Sequence, residues 1–315
     1  MINASVVGAR GYLGRELVRL LHDHPHVNNV TPIATSDHGT PYEDHVSGFE
    51  NSGLTVAPPE KMAASDVLFL ATPGGVARDI ARKARDDQTI IDLSRDHRLE
   101  ALNGDKWTYG LADWKPVSKG TKRIANPGCY PTAAALAIAP ALQAGLVENQ
   151  TIIVDGKSGV SGAGIKPQSH LHYPEMNENT TAYKVTGHDH TEEMAAFAGG
   201  FGRKQSIRFT PHLVPQTRGL LDTVYIPSSQ LEDAKLVYET AYKHNQFVHV
   251  KAEASTGAVR GSNHAHIAVD ADKKNNLLVV RAAIDNLQKG GSGTAVQNMN
   301  DALGWESGTG LGGNP

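Results

Sequence analysis

Cys129 is the only cysteine among 315 residues, and it stands in Asn126-Pro127-Gly128-Cys129-Tyr130-Pro131-Thr132, ahead of an alanine-rich run from Ala133 to Ala139. A lone thiol cannot close an intramolecular disulfide and has no cysteine partners for a metal cluster. Pro127-Gly128 predicts a tight turn, and Thr132 to Ala144 is rich in helix formers, with Pro140 inside it. A thiol at the N-terminal end of a helix meets the positive end of the helix dipole and backbone N–H groups that lack intrahelical acceptors. Both favour thiolate, the nucleophilic form. The same N–H groups can hold the oxyanion made when a thiolate attacks a carbonyl. A buried structural cysteine also fits this segment, since free cysteine is among the most buried residue types.

Gly187-His188-Asp189-His190-Thr191-Glu192-Glu193 holds a second set of reactive side chains. A helix is expected from Thr191 to Ala198. Glu193 lies three residues after His190 and shares its face if the helix begins there. A histidine beside a thiolate stabilises it as an ion pair and can move protons, and a carboxylate can orient the imidazole. Two solvated histidines in a surface loop are the plain alternative, which this segment alone does not exclude. Arg95 and Arg98, in Asp92-Leu93-Ser94-Arg95-Asp96-His97-Arg98, and Arg218, in Pro215-Gln216-Thr217-Arg218-Gly219, are candidates for holding an anionic substrate. A guanidinium recognises carboxylate or phosphate through two parallel hydrogen bonds. Singly, each also fits an ordinary surface charge.

These groups need a frame. Ala4 to Gly8 reads as a short apolar strand, Gly8-Ala9-Arg10-Gly11-Tyr12-Leu13-Gly14 as a glycine turn, and Arg15 to His22 as an amphipathic helix. Strands follow at Val30 to Thr35, Val67 to Ala71 and Thr89 to Leu93, with a helix over Gly74 to Arg85. Alternating strands and helices predict a parallel, doubly wound sheet of Rossmann type. Glycines in the first turn let the backbone approach a pyrophosphate at a helix N-terminus. After Cys129 the pattern changes. Thr151 to Asp155 is a strand, and Lys157 to Gly164 reads as a glycine and serine loop. Strands are expected at Arg208 to Pro215, Gly219 to Pro227, Phe247 to Glu253, His264 to Asp270 and Leu277 to Ile284. With one helix among them, Leu231 to Asn245, these predict an α+β unit with a mainly antiparallel sheet. A last helix covers Gly293 to Leu303, and the glycine-rich tail Glu306 to Pro315 is expected to be loose.

Composition bounds the function. The chain is 39% hydrophobic and 20% charged, which suits a water-soluble globular protein of two lobes. A net charge of −3 gives no basic field for nucleic acid, and no apolar run approaches the roughly 18 residues that span a bilayer. The N-terminus enters a strand with no charged leader, so a cytoplasmic location is expected. Most of the 15 histidines lie in polar segments, and no HExxH or CxxC spacing occurs, so no metal is assigned.

Taken together these segments resemble the N-acetyl-gamma-glutamyl-phosphate reductases of arginine biosynthesis, relatives of the aspartate-semialdehyde dehydrogenases. The likeness is carried by the glycine turn from Gly8, Asp92-Leu93-Ser94, Asn126 to Thr132, and Lys157-Ser158-Gly159-Val160-Ser161-Gly162-Ala163-Gly164. It extends to Gly187-His188-Asp189-His190, Thr210 to Pro215, Gly261-Ser262-Asn263 and Ala283 to Gly290. The resemblance implies NADPH-dependent reductive dephosphorylation of N-acetyl-L-glutamyl 5-phosphate to the 5-semialdehyde, through a thioester on Cys129. His190 or His188 would be the acid–base residue, with Glu193 in support. It further implies cofactor contacts from Gly8, Arg10, Gly11, Tyr12, Leu13, Gly14, Ser36, Ser161, Gly162 and Asn286. Substrate contacts would come from Arg95, Arg98, Asn126, Ser158 and Arg218. Residues 1–128 would bind the dinucleotide, completed by the C-terminal helix in 291–315, and 129–290 would form the catalytic and oligomerisation domain. Acyl phosphate and inorganic phosphate would be the small-molecule partners, in a homodimer or homotetramer that binds neither nucleic acid nor membrane.

Two positions depart from the family pattern. Thr35-Ser36-Asp37-His38 stands where relatives often carry Ser-Arg, which grips a 2′-phosphate. An acidic residue there favours a ribose hydroxyl; Arg10 is expected to compensate and keep NADP preferred. His188-Asp189 replaces the more usual His-Arg. Two other readings stay open: the same chemistry on a carrier-bound or longer acyl phosphate, and a non-enzymatic nucleotide sensor on this fold.

Overall fold

The computed structural model describes residues 1–202 and 204–312. The chain divides into two compact units, Met1–Pro127 with Gly291–Gly312, and Gly128–Gly290. Unit 1 begins with β1 (Ile2–Val7), α1 (Tyr12–His22), β2 (Val27–Ile33), β3 (Val67–Leu70), α2 (Ala77–Lys83) and β4 (Thr89–Asp92). α3 (Arg98–Leu102), β5 (Thr108–Tyr109) and β6 (Arg123–Ala125) follow. Its strands are all parallel, in the order β2-β1-β3-β4-β6-β5. β3 and β4 are buried along their whole length; β3 is an unbroken apolar run, as a strand in a sheet covered on both faces requires.

Helix α2 is shorter than the expected Gly74 to Arg85. Pro73, Gly74 and Gly75 stay in a turn, and the Asp96 carboxylate accepts from Gly75 N at 2.6 Å and Ala77 N at 3.0 Å, which fixes where the helix starts. The short strands β5 and β6 were not evident in the sequence, because two or three residues show no periodicity.

Unit 2 contains α4 (Cys129–Gln143), β7 (Ile152–Gly159), α5 (Tyr173–Met176), β8 (Thr181–Ala182), α6 (Asp189–Gly199) and β9 (Ile207–Val214). It continues with β10 (Leu220–Pro227), α7 (Ala234–Tyr242), β11 (Val248–Val250), α8 (Thr256–Val259), β12 (Ala265–Asp272) and β13 (Leu277–Ile284). The sheet order is β11-β12-β13-β10-β7-β9-β8. Its pairs are antiparallel except β11 with β12 and β7 with β9, so the sheet is mixed. The expected loop from Lys157 is corrected at its start: β7 runs on to Gly159, and a 3-10 turn, Val160–Ala163, follows.

α4 is buried on almost every side. Pro140 within it has no N–H to give Leu136 O. Tyr242 on α7 donates its hydroxyl to Leu136 O at 2.6 Å, and Tyr238 does the same for Ala137 O at 2.5 Å. The proline is therefore accommodated by a neighbour rather than by a break in the helix.

α9 (Gly293–Leu303) belongs to unit 1. Ser292 Oγ donates to Leu13 O at 2.9 Å, beside the glycine turn. The tail after α9 is not loose over its described part. Asn300 Nδ2 donates to Ser307 O at 3.0 Å and Thr309 O at 2.9 Å, and Leu311 is buried. Residues 313–315 of that tail lie outside the described residues.

One core residue has no apolar rationale. Asp222 on β10 is fully buried beside Gly156 of β7 and Ala282 of β13, and neither carboxyl oxygen has a hydrogen-bond partner. Burial pushes its pKa well above the usual carboxylate value; nearby Asp155 adds to this and Lys157 opposes it. The unfolded chain therefore ionises Asp222 first as pH rises. The stability this group contributes is fully present below about pH 3.8 and lost as pH rises toward its folded value. Asp222→Asn is expected to melt higher than wild type at pH 7 by at least roughly 3 °C, the shift that ~1 kcal/mol gives a unit this size. The gap should close toward pH 4; a gap that stays constant with pH in melting curves would refute the assignment.

Candidate active site

α4 begins at Cys129 itself, with Gly128 as the extended residue before it. No side-chain hydrogen bond caps this end, and the first turn holds no acidic residue. Pro131 has no N–H, so the amides of Cys129 and Tyr130 are the donors of that turn. Cys129 is half-buried. The turn is braced twice. Glu193 Oε1 on α6 accepts from Gly128 N at 2.9 Å, and Thr132 Oγ1 donates to Gly128 O at 2.8 Å. Glu193, expected to support His190, thus ties α6 to the residue that presents the thiol. Gly290 completes the setting: a Cβ there would lie 2.8 Å from Cys129 Cβ and 3.2 Å from its Cα, closer than packing allows.

The two histidines differ in what their rings do. α6 starts at Asp189, two residues earlier than expected, because His188 caps it. His188 Nδ1 accepts from His190 N at 3.1 Å. Burial depresses the His188 pKa to about 4; the Lys184 charge adds to this and Asp189 opposes it. His188 is therefore a neutral cap at pH 7. Its ring centroid is 4.6 Å from that of His190.

Tyr130 forms the floor beneath both. Its centroid is 6.2 Å from His188, 6.0 Å from His190 and 4.9 Å from Phe209, and its hydroxyl donates to His212 O at 2.9 Å. A Cβ at Gly156 would meet Tyr130 Cε1 at 2.6 Å, so only glycine leaves room for the ring. Tyr183 stands against His188, with centroids 5.6 Å apart. Its pKa is pushed up to about 12, by burial and then by the Cys129 charge, so it remains a hydrogen-bond donor at pH 7. Sequence reasoning missed Tyr183 as a site residue: it lies in a polar stretch with no periodicity.

A second cluster in unit 2 joins segments far apart in sequence. Arg218 forms a two-point ion pair with buried Asp285, Nε to Oδ2 and Nη2 to Oδ1, both 2.9 Å. Asn286 Oδ1 accepts from Gly219 N at 2.8 Å, and its Nδ2 donates to Ser161 Oγ at 2.9 Å. Ser158 is buried and donates to Gly159 O at 3.1 Å, while Gly162 is exposed. Arg218, expected to hold substrate, has its fork engaged by Asp285.

In unit 1 the glycine turn is built on close approach. Gly8 has φ +80°, and a Cβ on it would lie 2.4 Å from Ala71 O; one on Gly14 would lie 2.2 Å from Gly8 O. α1 opens without a side-chain cap or a first-turn acid, so its N–H groups suit an anion. A cavity of about 780 Å³ opens beside this turn, lined by Gly8, Arg10, Gly11, Thr35, Thr72 and Gly75 among others. Its size and uncapped helix end fit a dinucleotide. Arg10, which lines it, is paired with Ser36 and Asp37: Arg10 Nη1 reaches Asp37 Oδ2 at 2.6 Å and Nη2 reaches Ser36 Oγ at 2.8 Å. Asp37 therefore pairs with Arg10 while its side chain stays open to water.

Arg95 is exposed and lies across Gly74, where a Cβ would be 2.6 Å from its Nε. Its loop is held by buried Asp92, whose Oδ1 accepts from Ser94 N at 2.8 Å and whose Oδ2 is 2.7 Å from His97 Nδ1. Arg98 and Asn126, also expected to contact substrate, point inward. Arg98 donates to Asn126 O at 2.9 Å and Leu93 O at 2.8 Å. Fully buried Asn126 donates to Gly291 O at 3.2 Å and accepts from Asn298 Nδ2 at 2.9 Å. Both serve the packing of unit 1, because their polar atoms are needed to satisfy buried backbone groups. Among the described residues no cluster could hold a metal ion, and no helix is long and apolar enough to cross a membrane.

Two family models match the chain: the semialdehyde dehydrogenase NAD binding domain over residues 3–119 and the semialdehyde dehydrogenase dimerisation domain over 129–286. The N-acetyl-gamma-glutamyl-phosphate reductase of Methanosarcina barkeri is 39% identical over 332 residues, covering 99% of this chain and 98% of that protein. The reductase of the same name from Methanosarcina mazei is 40% identical, covering 95% and 94%. Among solved structures, aspartate semialdehyde dehydrogenase II from Vibrio cholerae superposes with a TM-score of 0.77 at 18% identity, over 95% of this chain and 98% of that one. The Candida albicans aspartate semialdehyde dehydrogenase solved with NADP gives 0.71 at 16% identity, over 96% and 99%.

Proposed function

The chain belongs to the semialdehyde dehydrogenase family, among its N-acetyl-gamma-glutamyl-phosphate reductases, and on that premise we propose how its residues divide the work. The reaction is the reductive dephosphorylation of N-acetyl-L-glutamyl 5-phosphate to N-acetyl-L-glutamate 5-semialdehyde, a step of arginine biosynthesis. Cys129 at the uncapped start of α4 is the observation that carries the reading.

Cys129 Sγ attacks the acyl phosphate carbonyl. The S–C bond forms, the bond to phosphate oxygen breaks, and inorganic phosphate leaves. The amides at the start of α4 are the donors for the developing oxyanion. The glycine turn and Arg10 of unit 1 would hold the cofactor, which we assign as NADPH, and its chemistry would be hydride donation to the thioester carbon. When the reduced adduct collapses, the C–S bond breaks and the aldehyde departs. His190 takes the proton as the thiol becomes thiolate and returns it to Sγ at the end. Neutral His188 positions His190 by capping its helix. Glu193 and Gly290 fix the thiol's turn. Exposed Arg95 is the candidate for meeting the anionic substrate. Unit 2 matches a dimerisation domain, and a homodimer is the proposed assembly.

The test runs the reaction backward. With N-acetylglutamate semialdehyde, reduction of NADP is expected only when inorganic phosphate is also present. Turnover that ignores phosphate would indicate hydrolysis of the thioester by water and remove the acyl phosphate from the scheme.

A further inference from the structure

Arg10, which lines the unit 1 cavity, sits in an arrangement that the reaction does not explain. Asp37 Oδ2 receives two hydrogen bonds, from Arg10 Nη1 at 2.6 Å and from Ser36 Oγ at 2.7 Å. Ser36 Oγ in turn accepts from Arg10 Nη2 at 2.8 Å. His45 Nδ1 lies 3.5 Å from the same Nη1. The other nitrogen of that ring, Nε2, is 2.8 Å from Thr40 Oγ1. Thr40 Oγ1 spends its own hydrogen on Asp37 O at 2.6 Å. It must therefore accept from His45 Nε2, which leaves Nδ1 as an acceptor facing Arg10. Three side chains thus hold one guanidinium in place.

Asp37 reaches this position at a conformational cost. Its φ is +60°, in the left-handed region that a non-glycine residue seldom enters. The pair is also open to water, with side-chain exposures of 29% for Arg10 and 48% for Asp37. An exposed pair of this kind contributes little stability. It neither shores up the fold nor seals a core. What the three-point hold does is fix the guanidinium of Arg10, a residue that lines the cavity, with one small anion already upon it.

We propose that Asp37 is the chain's own occupant of the place a cofactor's 2′-phosphate takes, so that on Arg10 and Ser36 one anion exchanges for another. The proposal rests on reading unit 1 as the dinucleotide site. Hydrogen bonds from Ser36 and Arg10 hold the Asp37 carboxyl below its usual range, so the occupant stays charged across the working pH range. A phosphate with more charge and more acceptor oxygens wins the exchange, but only by the difference between the two anions. Wild-type discrimination between phosphorylated and unphosphorylated cofactor is therefore modest. It is set by Asp37, a residue that would touch the ligand only by leaving.

Calorimetric titration of the intact enzyme with adenosine 2′,5′-bisphosphate and with AMP tests this without any turnover. The quantity read is the ratio of the two affinities. Asp37→Asn keeps the shape and tolerates the left-handed backbone. It should raise the ratio about tenfold in favour of the bisphosphate, by removing a competitor of the strength of an exposed pair together with its repulsion. Arg10→Gln should lower the ratio, and by a larger factor in the Asp37→Asn background than in wild type, because there Arg10 has lost its internal partner. A ratio unchanged or lowered by Asp37→Asn would overturn the exchange. So would equal effects of Arg10→Gln in the two backgrounds. If neither nucleotide binds wild type at all, the fault lies with the dinucleotide reading of unit 1, and the exchange falls with it.

Discussion

Cys129→Ser is expected to lose reductase turnover by a factor on the order of 10⁴ or more, the scale seen when a covalent nucleophile is removed. A serine hydroxyl is not ionised near neutrality, and the start of α4 cannot make up the difference. Its dipole and amides act on charge that is already there, and serine brings none. The reduced step would suffer as well, because an oxygen ester accepts hydride less readily than a thioester and alkoxide is a poorer leaving group than thiolate. Nucleotide binding should survive, since Cys129 lies outside the glycine turn and unit 1 folds around its own core. The measurement pairs steady-state rates with calorimetric binding of AMP. Alkylation of wild type should inactivate it, and acyl phosphate should protect. Appreciable turnover in the serine protein would end the thioester mechanism.

His190→Asn is expected to cut turnover by roughly a hundredfold or more, the usual size for loss of an acid–base group. His188→Asn should cost far less. Asparagine is among the best N-cap residues, so it can still accept from His190 N and keep α6 in place. This contrast separates moving a proton from holding a helix, two roles that adjacent histidines easily confuse. The pH profile adds a readout that packing alone would not shift. The limb assigned to His190 should vanish in His190→Asn and persist in His188→Asn. If the large loss instead follows His188, the two roles are exchanged.

Much of this architecture was legible in local sequence. The glycine turn declared itself because Gly8 and Gly11 stand between an apolar strand and an amphipathic helix, which starts at Tyr12, earlier than the expected Arg15, and so takes in Gly14. Cys129 drew attention as the lone thiol ahead of an alanine-rich helix; the tight turn expected at Pro127-Gly128 is instead extended backbone leading into α4. What stayed hidden depends on partners distant in sequence. Glu193 was expected to work with the histidine three residues before it; its Oε1 also accepts from Gly128 N, and no helical spacing reveals that. Arg98, Asn126 and Arg218 carry groups suited to an anion, but a protein interior has carbonyls and carboxylates that need the same donors. Residue type alone cannot say which demand is met. Asp222 was unreadable for the opposite reason: its strand reads as alternating and apolar around it, and nothing local marks a buried acid.

Gly290 touches no reactant in the proposed scheme, has no functional group and titrates nothing. Its contribution is the absence of one carbon atom beside Cys129. Any residue with a side chain there puts a carbon 2.8 Å from Cys129 Cβ and 3.2 Å from its Cα, at a position that no chemical reagent would mark as functional. The chain's tolerance of mutation is thus drawn less by where its reactive groups lie than by where their neighbours must be empty.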